Sequence, residues 1–197
     1  MKQEQLTNLL YEALETEQGG VKIYETAVSA AVNEELKEEW EKYLEQTRNH
    51  EAILKDLFDT MSLDPGKETP GRQVVRRIGQ ALVEAMEMAM KTGDREGAQA
   101  VAAECVVLAE TKDHLNWELL GEAAKKLTGA SGKALKEAHD QVEDEEDEHL
   151  YHTQGWAREL HMKLLGLPAV LPPPEEEKDV KTAIGAARAK QSRKEML

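Results

Sequence analysis

Apolar residues recur at steps of three and four along most of the 197-residue chain, the period of a helix that buries one face. Glycine, proline or asparagine stands at each interruption, as expected where helices end. The pattern predicts five helices and a tail, and therefore an all-α fold with one domain over residues 1–167 followed by a separate segment, 168–197. The first helix covers about Gln3 to Ala31, with Leu6, Leu10, Ala13, Val21, Tyr24, Val28 and Ala31 on its stripe. Asn33 caps the second, about Glu34 to Met61, which buries Leu36, Trp40, Tyr43, Ile53, Leu54, Leu57 and Phe58. After the loop "SLDPGKETPG" a shorter helix runs from about Arg72 to Lys91, and "TGD" leads into the fourth, about Arg95 to Thr128. "GASG" turns the chain into the fifth, about Lys133 to Leu165, which stops at Gly166 and Pro168. Beyond it, "LPAVLPPPEEEKD" reads as an extended linker, and "VKTAIGAARAKQSRKEML" as a helix-compatible tail that is either mobile or docked.

The stripes carry polar residues at their centres. On the first helix Glu17 sits between Ala13 and Val21. On the second, Thr47 and His50 are central, with Gln46 and Glu51 at the margins. On the fourth, Glu110 and His114 lie between Val107 and Trp117. On the fifth, Glu146 or its neighbour Glu145, with His149, lies between Val142 and Trp156. Residues 143–148 are six consecutive acids. They cannot all be buried, because each isolated carboxylate in a low-dielectric core costs several kcal/mol, on the order of what would protonate it instead. Most of the run is therefore a solvated face, and one glutamate can turn inward with His149 only if a cation neutralises it.

Four helices that each bring a Glu or His to mid-length are how helical proteins build dinuclear carboxylate centres. The candidate ligands are Glu17, His50, Glu110, His114, Glu146 and His149. Carboxylates mixed with imidazoles suit iron first, and manganese or zinc as alternatives, whereas magnesium and calcium prefer oxygen alone. The plainer alternative has the same acids pairing with histidines, or with Lys112 and Arg48, in interhelical salt bridges. His139 and His161 read as surface residues, and Met86, Met88 and Met90 as adaptable packing.

Composition supports long helices: aromatics are only 4% of the residues. The net charge of -14 argues against a nucleic-acid partner and for a protein that attracts cations. The last twenty residues are the exception, with six basic side chains against two acids. Cys105 is the only cysteine and sits among alanines and valines, so a buried, unpaired thiol in a reducing compartment is expected. Neither a leader pattern nor an apolar run of membrane-spanning length is present, so a cytoplasmic protein without membrane partners is expected. No nucleophile triad, phosphate-binding glycine loop or basic groove supports a hydrolase, kinase or nucleic-acid function.

A long helical pair, a loop and further helices ending in Glu146-x-x-His149 resemble the ferritin-like superfamily over about residues 3–166. Within it, "ELKEEWEKYLEQTRNHEAILKDLFDTMSLDP" is similar to the second helix and following loop of the bacterial stress-response ferritin-like family, and the helix at 72–91 matches that family's inserted helix. The resemblance implies a four-helix bundle with an extra short helix, a homodimer, and a possible di-iron centre for oxidation or iron handling. Carried over by position, Glu17, His50, Glu110, Glu146 and His149 match ligands, but Thr47 stands where the family has a carboxylate; the nearest substitutes, Gln46 and Glu51, sit at the edges of the stripe, and His114 of the fourth helix is the residue that could make up the deficit. Three functions are consistent with this: a ferroxidase-like or peroxide-detoxifying redox metalloprotein, a metal-free helical stress or scaffold protein acting through dimerisation or partner binding, and a tail-mediated protein partner, since "TAIGAAR" after a proline linker resembles peptides that tether cargo inside protein shells.

Overall fold

In the computed structural model, which describes residues 1–197, the chain is helical throughout: α1 (Gln3–Ala30), α2 (Glu34–Thr60), α3 (Pro70–Met90), α4 (Arg95–Ala124), α5 (Gly129–Leu164), α6 (Pro174–Glu177) and α7 (Ala183–Ser192), with a closing 3-10 turn at Arg193–Glu195. The starts are set by side-chain caps that satisfy helix N–H groups lacking an intrahelical partner. Asn33 accepts from the Leu36 N–H, Thr69 from Arg72 and Asp94 from Gly97. Gln99 of α4 accepts the N–H groups of both Val32 and Asn33, at 2.6 and 2.7 Å, and so ties the α1–α2 turn to the third long helix.

Helix α1 packs on α2 and α4, α5 packs on α4 and α2, and α3 lies across α1 and α4. Arg72 anchors α3 from a buried position, with Nε 2.9 Å from Glu15 and one Nη donating to the carbonyls of Pro65 and Lys67. The core is not continuous. One apolar cluster holds Ile23, Tyr24, Trp40, Val106, Trp156 and Leu160, and another holds Leu10, Leu54, Phe58, Trp117, Leu135 and Val142. Between them lies a buried polar layer that includes Glu17, Thr47, His50, Glu110, Asp113, Glu146, His149 and Thr153.

Two expectations shift, and one left open is decided. Helix α3 begins at Pro70, because proline fits a first helical position where no N–H is needed. The turn before α5 is Lys125–Thr128, and "GASG" forms the first turn of that helix. Glycine is required there: a Cβ on Gly132 would come 2.3 Å from the Leu127 carbonyl oxygen. The tail is docked. Arg158 of α5 grips Glu175 through two 2.7 Å hydrogen bonds, Arg193 Nε reaches Glu159 at 2.6 Å, and the Val170 N–H donates to the same Glu159. Gly155 makes room for this contact, since a Cβ there would stand 2.6 Å from Glu175.

Cys105 is buried and unpaired, and no helix is long and apolar enough to cross a membrane. Phe58 is fully buried and meets Tyr11 edge-on with centroids 5.1 Å apart. Phe58→Ala should lower the free energy of unfolding by about 3–5 kcal/mol, read from the denaturant midpoint with the slope unchanged.

Candidate metal centre

The polar layer gathers donors from all four long helices. The α2 stripe runs as the periodicity predicts, through Leu36, Trp40, Tyr43, Thr47, His50, Leu54 and Leu57, and it delivers His50 inward. Ligand atoms of Glu17, His50 and Glu146 lie within 4.8 Å of one another, as do those of Glu110, Glu146 and His149. Glu146 belongs to both groups, so the two groups share one carboxylate. Within these groups the closest histidine–carboxylate separations are His50 Nδ1 to Glu146 Oε1 at 3.0 Å and His149 Nδ1 to Glu110 Oε2 at 3.6 Å. Bonds of about 2.0–2.2 Å to a common cation require spacings of this order.

Each imidazole is held by its outer nitrogen. His50 Nε2–H donates to Glu145 at 2.8 Å, and His149 Nε2–H to the Gln46 side-chain oxygen at 3.0 Å. A proton fixed on Nε2 leaves the Nδ1 lone pair facing inward, which is how ligating histidines are prepared. The acid run thus divides its labour: Glu146 faces the centre, while the half-buried Glu145 backs His50 from outside. Trp117 Nε1 donates to Glu17 Oε1 at 2.8 Å and leaves Oε2 free.

Of the six ligands expected from sequence, five converge. His114 does not; it lies on the outer side of α4, where Nε2 meets Asp147 at 2.6 Å. That hydrogen bond raises its pKa above the ordinary value. The fourth carboxylate is Asp113, buried, with Oδ1 unpartnered. From Glu110, steps of three and four are equally helical, and the stripe follows 103, 106, 110, 113, 117 and 120 rather than passing through Val107 and His114. A helix packed against both α1 and α5 buries a broad face, which periodicity alone does not centre. Thr47 is buried, donates to its own helix at Tyr43 O and faces Gly20, whose Cβ would touch it at 3.1 Å. With Thr47 packed against Gly20, α2 brings one candidate ligand, His50, to the centre.

The electrostatics are those of uncompensated acid. Burial, and then the charges of Asp113 and Glu146, push Glu17 well above the usual carboxylate range. Burial, then Glu146 and Glu110, does the same to Asp113, and burial with Glu110 does so to Glu146. Burial depresses His50 despite Glu145. Of the salt-bridge alternative, the lysine and arginine half does not form: Arg48 pairs with Glu25 and Glu45 on the surface, and Lys112 is drawn to Asn116 and Glu12. The histidine half does form, since His50 and His149 are the basic side chains that Glu17, Glu110 and Glu146 pair with.

Comparison with family models, curated proteins and solved structures finds no match to the chain. The functional reading therefore rests on the geometry of the centre.

The raised carboxyls make a testable pH signature. Their native forms hold protons that the unfolded chain releases, so their contribution to stability is present at low pH and is lost as pH rises through the native pKa values. His50, depressed, acts the other way, but only below its unfolded pKa of about 6.5. Chelator-stripped protein should therefore lose thermal stability as pH rises above about 6.5, where His50 no longer contributes, and Asp113→Asn combined with Glu146→Gln should flatten that slope in a series of melting curves.

Proposed function

We propose that α1, α2, α4 and α5 adopt a ferritin-like layout and hold two divalent cations, iron first and manganese or zinc as alternatives, for oxidative chemistry of the ferroxidase or peroxide-detoxifying kind. One observation carries the reading. Five buried atoms, Glu17 Oε2, His50 Nδ1, Glu110 Oε2, Glu146 Oε2 and His149 Nδ1, have no hydrogen-bond partner, although buried polar atoms are otherwise almost always satisfied. The donors fit a carboxylate-rich dinuclear centre in kind and number. Glu17 and His50 would hold one cation, Glu110 and His149 the other, with Glu146 common to both and Asp113 supplying a fourth negative charge.

Iron or manganese in such a centre supplies one-electron chemistry toward O2 or peroxide; zinc would be redox-silent. The chain's own residues set the conditions. Tyr24, whose buried hydroxyl has no partner, lies against Glu110, and burial with that charge keeps it protonated, placing a proton beside the centre. Tyr43 covers His149 with ring centroids 4.2 Å apart and helps exclude water. A groove of about 280 Å³ between α4 and α5, lined by His114, Glu118, Glu122, Glu143 and Asp147, reaches Glu146 and offers cations an acidic approach. His114 thus belongs to the entrance.

Elemental analysis of protein purified without tag or chelator should find about two Fe or Mn per chain. Glu110→Ala and His149→Ala should both abolish that content. A wild type that takes up no metal, even when Fe(II) is supplied anaerobically, would replace this reading with the metal-free scaffold.

Self-association is part of the same proposal. Leu108, Leu115 and Leu119 on α4 and Val74 and Ile78 on α3 remain exposed, and apolar groups repeated along one face suit a second copy. Sedimentation should show a homodimer, and Leu115→Glu with Leu119→Glu should convert it to monomer.

A further inference from the structure

One turn beyond His149, α5 carries a second histidine that the centre does not use. His152 is 3% exposed. Its Nδ1–H donates to Glu39 Oε1 at 3.0 Å, and Glu39 is itself fixed by the Tyr43 hydroxyl and by Trp156 Nε1 at 2.7 Å. The ring is therefore locked as the Nδ1–H tautomer, and Nε2, a buried lone pair, has no partner. His152 lines an acidic groove between α5, the start of α2 and the docked tail, with Glu35, Glu148, Glu176 and Asp179 among its acids and Lys42 as the one lysine in its lining; the partly exposed Lys181 lies 3.9 Å from Asp179. A ring nitrogen of His152 and one carboxylate oxygen each from Glu148 and Asp179 lie within 4.8 Å of one another.

An imidazole backed at one nitrogen by a carboxylate and free at the other is the arrangement of a metal-bound histidine. Lys42 reaches Glu148 at 3.2 Å, but its side chain is half exposed and can swing into solvent. We propose that Glu148, His152 and Asp179 form a separate, mononuclear site for a divalent transition cation that clips the C-terminal segment onto α5. One imidazole with two carboxylates selects zinc, iron or manganese over calcium or magnesium. Only Asp179 comes from the tail, at the end of α6, so occupancy couples tail docking to cation concentration. Tyr43 links the two sites: its hydroxyl supports Glu39, and its ring lies on His149.

This proposal stands independently of the dinuclear reading, and the test keeps them apart. The chelator-stripped full chain is titrated with Zn2+ by calorimetry, and its trypsin cleavage at Lys178 and Lys181 is followed with and without Zn2+. Wild type should bind one more equivalent than Asp179→Asn, and Zn2+ should slow tail cleavage in wild type but not in that variant. Glu148→Gln should behave like Asp179→Asn. Asp179 is exposed with φ 47°, a conformation asparagine also adopts, so the substitution leaves the fold intact. The combined Glu110→Ala, His149→Ala variant, stripped of the central site, should retain the extra equivalent and the protection. Equal stoichiometry and equal protection in wild type and Asp179→Asn would overturn the tail site while leaving the dinuclear reading untouched.

Discussion

Desolvation of carboxylate is the constraint around which this molecule is organised. Glu17, Glu110, Asp113 and Glu146 are buried in one layer without a lysine or arginine partner, and a buried charge in that condition costs several kcal/mol, on the order of a large part of a domain's net stability. Such a layer persists only if protons or cations neutralise it. The apolar clusters on either side supply the stability that tolerates it, with Trp40, Tyr24 and Trp156 on one side and Phe58, Trp117 and Val142 on the other.

The polar layer is also built to be rigid. Three of the ligand-type side chains have a partner that fixes their orientation while leaving one atom free: Trp117 for Glu17, Glu145 for His50, Gln46 for His149. These supports lie on α2, α4 and α5, so each helix orients the ligands of another. Helices held by such cross-links cannot slide by a turn without exposing an apolar cluster and stranding a charge. The same device recurs at the outer groove, where Glu39 orients His152 and the docked tail closes over α5.

The helical periodicity of α2 and its cap residue Asn33 were readable from the chain, because capping and the 3.6-residue repeat are local properties. The inward placement of Glu17, His50, Glu110, Glu146 and His149 was readable for a related reason: a Glu or His in the middle of an apolar stripe has nowhere to go but inward. The exchange of His114 for Asp113 was not readable, since both lie within one step of Glu110, and the choice depends on how α4 rotates to pack on α1 and α5 together.

What the residues alone determined was an all-α chain with an acidic centre on four helices, since spacing along a helix fixes which side chains share a face. Tertiary structure decided the rest: which of Glu145 and Glu146 turns inward, that Glu146 stands between the two donor groups, that Arg158 and Glu159 hold the tail, and that His152 meets Asp179 across more than twenty-five residues of sequence. Those outcomes depend on the rotation of each helix about its axis and on contacts between distant segments, which no local pattern of apolar and polar residues encodes.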